Sequence, residues 1–407
     1  MTYATGLTCR GCGRSFVLGP SYVCPECLGP LSVTYDWDRL ARLDRAAVAA
    51  GPASLWRYRD LLPVGPGPVV DLCAGQTPLL RAPNLARALG LGEVYVKNDA
   101  TNPTYSFKDR VVAVAATVAR QFGFGTLACA STGNLAAAVA AAAARAGMTS
   151  YVFVPADLEP VKLLGAAVYG THLVAVRGNY DQTNRLCLEI ADRYRWAFVN
   201  INLRPFYAEG SKTLAYETAE QLGWRAPDHV VVPVAGGSVL SKIHQGFADL
   251  VRLGWIPPAR PRVSGAQASG CNPVAAAFAS GEDHITPVRP QTIAKSLAIG
   301  NPADGALALR IIRETGGAAA DASDDEIIAG IRLLASTEGI FTETAGGVTV
   351  AVARKLAQAG VIRPDESVVI YITGNGLKTP DAVADAVPPP LVVDPRLEAF
   401  CDQVAAD

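Results

Sequence analysis

The stretch Asn102–Arg110, "NPTYSFKDR", packs a lysine, an aspartate and an arginine into a compact turn. It follows the apolar strand-like run "EVYVKND" and precedes the Ala/Val-rich, helix-like run "VVAVAATVAR". An apolar strand, a polar turn and a helix in that order form the repeating unit of α/β architecture. A surface lysine needs no such setting, whereas a lysine that does covalent chemistry must shed its proton near neutral pH and gains from partial burial. Taken alone, Lys108 reads rather as a solvated lysine at a helix start, beside Asp109 and Arg110.

The same unit recurs along the chain. "TLACAS" precedes "LAAAVAAAAARAG", "SYVFVP" precedes "VKLLGAAVYG", and "HLVAVRG" precedes "YDQTNRLCLEIADRY". "HVVVPVAG" leads into "SKIHQGFADLVRLG", and "SVVIYITGNGLKTPDAV" is a late strand running into a Gly-rich turn. This alternation predicts an α/β protein with mostly parallel sheets. At 407 residues the chain is too long for one simple core, so two or three domains are expected.

Composition narrows the function classes. Half the residues are hydrophobic and 18% are charged, as in a compact enzyme. Lys+Arg 36 against Asp+Glu 37 leaves a formal net charge of -1, which gives no electrostatic reason for a nucleic-acid or membrane partner. "MTYATGLTCR" lacks an apolar signal-peptide core, and no apolar run approaches the roughly 20 residues that span a bilayer. A cytoplasmic location is therefore expected.

Nine cysteines are present, four of them in two CxxC pairs, Cys9/Cys12 and Cys24/Cys27, with eleven residues between the pairs. Two such knuckles, flanked by the β-like "SFVL" and "LSVTY", predict a zinc-ribbon-like module over residues 1–35. Four thiolate ligands leave Zn²⁺ no open position, so its expected role is structural. The remaining cysteines are scattered singly and read as packing or surface residues. "DRLARLDRAAVAA" reads as a helix leading out of the module.

Ligands of open α/β sheets bind beyond the carboxyl ends of strands. Besides the lysine turn, three loops there carry unusual chemistry. "STGN", Ser131–Asn134, opens an Ala-rich helix and reads either as an ordinary helix cap or as a seat for a flat anionic ligand. "VAGGSVL", Val234–Leu240, reads as a tight turn or as a phosphate cradle of backbone N–H groups. It contains neither a Walker lysine nor GxGxxG spacing, which disfavours a nucleotide site. "TGNGLK", Thr373–Lys378, puts a hydroxyl at a strand end before two glycines, suited to a ring nitrogen or a phosphate.

Together the motifs "GQTPLL", "NPTYSFKDR", "ACASTGN", "NYD", "EGSKTLAYE", "GAQASGCNPV", "LAIGNPADG", "EGIFTETAGG" and "TGNGLKTP" run over nearly the whole chain. As a set they resemble the pyridoxal-phosphate enzymes of the tryptophan-synthase-β fold type, and among these the threonine synthase family. The resemblance implies two three-layer α/β domains preceded by the small zinc ribbon. Residues 50–100 and 201–390 would form the large cofactor-binding domain and 101–200 a smaller one inserted in it. It implies Lys108 as the lysine that bonds the cofactor covalently, Asn134 at the 3′-oxygen of its ring, and Thr373 at the ring nitrogen. Ala235, Gly236, Gly237, Ser238 and Val239 would hold the cofactor phosphate. Ser131, Thr132 and Asn200 would be polar contacts to the substrate.

The activity implied is conversion of O-phosphohomoserine and water to threonine and phosphate. A neutral hydroxyl at the ring nitrogen tempers carbanion chemistry and favours elimination and addition over transamination. None of the four histidines lies in these loops, which makes Lys108 the expected proton shuttle. The chain departs from the commoner family pattern in two places. "AGGSV" stands for GNAGN, and "NLRPFYAEGSKT" for NPxRxEGQKT, so the arginine of the latter is out of register. Arg204, Lys212 and Lys162 are the candidates to meet the substrate's phosphate instead. A cysteate-synthase-like or threonine-dehydratase-like activity on the same lysine stays open, and the resemblance implies a homodimer.

Overall fold

The computed structural model describes residues 2–156, 160–178, 180–258 and 261–404. Among the described residues, thirteen strands fall into three sheets. β1 (Ala4–Cys9), β2 (Ser15–Phe16) and β3 (Leu31–Tyr35) form a small antiparallel sheet in the order β2-β1-β3, carrying the cysteine knuckles at its end. The run expected as one helix after it is two, Trp37–Leu40 and Arg45–Ala49. The Asp44 side chain accepts from Ala46 N at 3.0 Å and starts the second helix afresh.

The remaining strands are β4 (Leu79–Arg81), β5 (Glu93–Asn98), β6 (Thr126–Ala130), β7 (Thr149–Pro155), β8 (His172–Val176), β9 (Ala197–Phe198), β10 (His229–Pro233), β11 (Arg262–Ala268), β12 (Ala319–Ala322) and β13 (Ser367–Ile372). Six make a sheet in the order β12-β11-β10-β13-β5-β4, parallel except for the edge strand β4. Four make a parallel sheet in the order β8-β7-β6-β9. The mostly parallel α/β class expected from the strand–helix alternation is the class observed.

Residues of β10 and β13 are buried throughout. That matches their unbroken apolar runs, because helices cover both faces of such a sheet. Helix Lys108–Gln121 buries Asp109 through Ala119, and it packs against the Ala-rich helix Asn134–Ala146. Alanine and valine on both helices permit that close approach.

The cysteine-bearing sheet is not perched on the surface. Leu7, Leu31, Val33 and Tyr35 belong to the same continuous core as the helices and strands of the body. Each such aliphatic side chain, once buried, contributes about 1.5–3 kcal/mol. Tyr35 Oη adds a polar tie, donating to Glu209 Oε2 at 2.6 Å.

Candidate active site

Strands β10, β13 and β5 are neighbours, and the loops at their carboxyl ends are Val234–Gly237, Thr373–Asn375 and Asp99–Phe107. Three of the four loops singled out in the sequence therefore meet along one sheet edge. The fourth, Ser131–Gly133, leaves the carboxyl end of β6 in the smaller sheet.

The lysine turn is laced to the β13 loop by backbone. Phe107 N donates to Thr373 O at 2.9 Å and Asn375 N to Tyr105 O at 3.0 Å, while Ser106 pairs with Gly374. Asp109 fixes the turn from inside, accepting from Thr104 N and Thr104 Oγ1, each at 2.7 Å. Burial raises the Asp109 carboxyl to about 6, against the pull of those two donors. The turn ends where helix Lys108–Gln121 begins. Lys108 is half-buried, its Nζ 2.8 Å from Tyr207 Oη and 4.6 Å from the centre of the Phe107 ring.

Beneath the turn lies a sealed ionic cluster. Arg110 Nε and Nη2 reach Asp99 at 2.6 and 2.8 Å, and Nη1 and Nη2 reach Glu217 at 2.5 and 2.7 Å. Lys97 Nζ meets Glu217 Oε2 at 2.8 Å, and the Lys97, Arg110 and Glu217 side chains are fully excluded from solvent. Burial opposes ionisation of Glu217, but Arg110 and Lys97 outweigh it and hold the carboxyl at about 2. The "KDR" run thus splits by surroundings: Asp109 and Arg110 are buried beneath the turn, and Lys108 stays partly accessible beside Tyr207.

Asn134 begins its helix and donates from Nδ2 to Glu343 Oε2 at 2.9 Å. Glu343 is buried, and burial raises its carboxyl even though Asn134, Lys378 and Lys108 pull it down. Glu343 N donates to Gly374 O at 3.1 Å. A Cβ on Gly374 would stand 2.4 Å from Glu343 Oε1, so only glycine fits between Thr373 and this carboxyl. Thr373 is itself buried. Glu343 thus joins Asn134 to the Thr373 loop, a role its sequence position did not signal beyond lying in "FTETAGG".

After β10, Gly237 takes a φ of 89°, and a Cβ there would approach Asp304 O to 2.6 Å. Asp304 N donates to Gly236 O at 2.8 Å and steadies the loop. The 15-residue helix Ser238–Arg252 then starts with no side-chain cap, which leaves its first N–H groups available to an anion. Ala235, Gly236, Ser238 and Val239 are partly accessible.

Ser131 and Thr132 lie in the turn before Asn134, with Ser131 Oγ accepting from Gly133 N at 3.2 Å. Asn200 follows β9, and its Oδ1 is buried without a hydrogen-bond partner among the described residues. Arg204 opens helix Arg204–Glu209, the helix that also carries Tyr207, and pairs with Asp304 at 2.9 Å. Lys212 is closed to any substrate: it is buried between Glu209 at 2.8 Å and Asp249 at 3.0 Å. Asn179 and the side chains of Lys162, Tyr180 and Asp181 lie outside what the structure describes. Tyr207 had no sequence signal of its own, because nothing along the chain places it beside a residue 99 positions away.

At the amino-terminal sheet the Sγ atoms of Cys9, Cys12, Cys24 and Cys27 all lie within 4.8 Å of one another. Gly11 N and Cys12 N point to Cys9 Sγ at 3.3 and 3.5 Å. A Cβ on Gly29 would sit 2.8 Å from Cys9 Sγ, so the knuckle demands glycine there. The histidines stay out of the cleft loops. His229, the most buried, bonds Ser264 Oγ at 2.7 Å, and burial lowers it to about 4.

Residues 70–374 match the family model described as pyridoxal-phosphate dependent enzyme. The chain is 38% identical over 401 residues to a threonine synthase of Methanosarcina acetivorans, covering 98% of each. It is 37% identical over 390 residues to a threonine synthase of Methanocaldococcus jannaschii, covering 95% of this chain and 96% of that one. Among solved structures, the processed form of threonine deaminase isoform 2 from Solanum lycopersicum superposes with a TM-score of 0.63 at 20% identity. It covers 76% of this chain and 84% of its own. That last likeness concerns the fold.

Proposed function

The chain belongs to the pyridoxal-phosphate dependent enzymes and, within them, to the threonine synthase family; from that membership we propose that it converts O-phosphohomoserine and water to threonine and phosphate. The observation that carries this to particular residues is the lacing of the lysine turn to the Thr373 loop, with Lys108 Nζ held 2.8 Å from Tyr207 Oη.

The residues fit the cofactor. An uncapped helix start behind Ala235–Gly237 offers N–H groups to its phosphate, and Lys108 offers the amine for covalent attachment. Asn134 is available to the ring oxygen and Thr373 to the ring nitrogen. When bound, pyridoxal phosphate supplies the electron sink for a carbanion at the substrate's Cα.

The chain's own residues do the rest. Lys108 Nζ takes one proton each from Cα and Cβ and gives one to Cγ and one back to Cα, and Tyr207 Oη holds that nitrogen in place between transfers. The Cγ–O bond breaks and phosphate leaves; a proton is delivered to Cγ, and water then adds its hydroxyl at Cβ as a proton returns to Cα. Ser131, Thr132 and the unpartnered Oδ1 of Asn200 orient the substrate, with Arg204 near its phosphate. Glu343 keeps Asn134 aimed at the cofactor.

Four thiols at knuckle spacing suit tetrahedral Zn²⁺, with Cys9, Cys12, Cys24 and Cys27 as a closed ligand set and a structural role. Residues 1–35 form that module in this reading, 101–200 the smaller α/β domain, and 50–100 with 201–390 the larger. The working form is a cytoplasmic homodimer, which sedimentation measurements and cell fractionation test. Metal analysis of purified protein tests the ion, with one zinc per chain expected.

Phosphate release from O-phosphohomoserine is compared with turnover of O-phosphoserine plus sulfite and of threonine alone. Release confined to the first supports the reading. Turnover of either alternative, with none of the first, overturns it in favour of a cysteate-synthase-like or threonine-dehydratase-like activity.

A further inference from the structure

Between the cysteine-bearing sheet and the α/β body lies a cavity of about 450 Å³. Arg10, Arg204, Ser238, Lys242 and Asp304 are among the residues that line it. Arg10 sits inside the first knuckle, between Cys9 and Cys12, so the thiol cluster fixes where its backbone lies.

Arg10 Nη2 meets Asp304 Oδ1 at 2.5 Å, and Arg204 Nη2 meets Asp304 Oδ2 at 2.9 Å. Two guanidinium groups therefore share one carboxylate. The Asp304 side chain is 7% exposed, whereas those of Arg10 and Arg204 remain 30% and 33% exposed. Lys242, Arg310 and Glu314 also line the cavity, so four cationic side chains against two carboxylates leave its wall net positive. Each guanidinium has five N–H donors, and Asp304 engages one from each by hydrogen bond. Lys242 adds little to this excess, since its Nζ is committed to Glu209 at 2.5 Å and Gln245 at 3.0 Å.

A pair of guanidiniums with spare donors matches a phosphate monoester, which carries close to two charges and three acceptor oxygens. Lys108, Tyr207, Ser131, Thr132 and Asn200 do not line this cavity, but two features place one end of it beside the candidate site. It includes Ser238, the first helical residue after the loop assigned to the cofactor phosphate. Arg204 also stands three residues before Tyr207 on one helix, a rise of roughly 5 Å, and Tyr207 holds Lys108 Nζ.

We infer that Arg10 and Arg204 together form the subsite for the substrate's phosphate monoester, so that the cysteine module contributes a substrate-binding residue as well as a scaffold. This rests on the threonine synthase reading for the identity of the ester; the anion site itself rests on the two arginines. The buried Asp304 presets both side chains and, through its N–H to Gly236 O, ties them to the β10 loop.

The test uses the full chain loaded with cofactor and zinc, and inorganic phosphate as probe. Phosphate affinity is measured by calorimetry, and the steady-state constants for O-phosphohomoserine are taken alongside, for wild type, Arg10→Met, Arg10→Lys, Arg204→Met and Arg14→Met. Arg14 shares the knuckle with Arg10 but pairs outward with Glu26 at 2.5 Å. Arg10→Met is expected to weaken phosphate binding by about tenfold or more and to raise KM by a similar factor, with kcat within about twofold. Arg204→Met should do the same, Arg10→Lys should recover part of the loss, and Arg14→Met should match wild type. Zinc content and the cofactor's visible absorbance should be equal in all five proteins.

Unchanged phosphate affinity in Arg10→Met at full zinc content overturns the inference. So does a loss that tracks zinc content, or one that Arg14→Met reproduces. If wild type binds phosphate through Arg10 yet does not turn over O-phosphohomoserine, the subsite stands and the threonine synthase reading falls.

Discussion

Lys108 and Arg110 are cations two residues apart on the same first turn of a helix, and they live in opposite surroundings. Arg110 is sealed from solvent and spends its guanidinium on two carboxylates, Asp99 and Glu217. Lys108 is half-buried and has a neutral phenol as its hydrogen-bond partner. A carboxylate at contact distance in a dry interior pins a charge in place. A phenol only positions the amine and leaves it free to exchange a proton and form a bond. The floor beneath the turn is thus built of buried, paired charges, and above it lies the lysine we propose as the reacting amine.

Replacing Lys108 by Ala is the sharpest way to break that contrast. Phosphate release should fall by at least about 10⁴-fold, while the urea midpoint stays where it was. A variant that unfolds along with losing activity would place Lys108 in the scaffold with Arg110.

Arg110→Met should do the reverse. It leaves Asp99 and part of Glu217 buried without their cation, and should cost about 3–5 kcal/mol in urea unfolding. Stability within about 1 kcal/mol of wild type would show that the buried cluster is not what supports the turn.

Acid should dissolve the fixed charges next. Burial works against the ionised forms of Glu209 and Glu217, but Lys212 and Lys242 for the first, and Arg110 and Lys97 for the second, bring both carboxyls from 4.5 to about 2. Groups depressed in the folded state stabilise it fully above their unfolded value. That contribution, on the order of 3 kcal/mol each, disappears as pH falls from about 4.5 towards 2. Chemical denaturation across this window checks it, and Glu217→Gln should flatten the slope.

The smallest effect is expected at the phenol. Tyr207→Phe should lower kcat about tenfold and leave the urea midpoint within about 0.5 kcal/mol, because only the positioning of Lys108 Nζ is lost. An unaltered kcat would mean that Lys108 needs no such partner.

Much of the fold was legible because parallel strands buried on both faces must be apolar throughout. "VVVP" of β10 and "SVVIYI" of β13 announce themselves for that reason. Loops after strands could be located by their glycines, and a thiol cluster by its spacing. The helix expected after the cysteine module was divided because Asp44 caps locally, a competition that apolar periodicity does not record. Lys212 looked available in "EGSKT", yet lies locked between Glu209 and Asp249. Tyr207 and Glu343 carried no signal, since their partners are 99 and 209 positions distant along the chain.

The sequence by itself determined the α/β class, the four cysteines, the small-residue loop at Ala235–Ser238 and the lysine turn proposed as the centre of the site. Those properties are written in residue type and local spacing. Only the tertiary structure decided which charges are fixed and which are free, because burial and ion pairing depend on what a second and third segment bring. It also set Arg10, a residue of the first knuckle, against Asp304 and beside Arg204. A separation of 294 residues in the chain closed to 2.5 Å because the knuckle's sheet shares its core with the body.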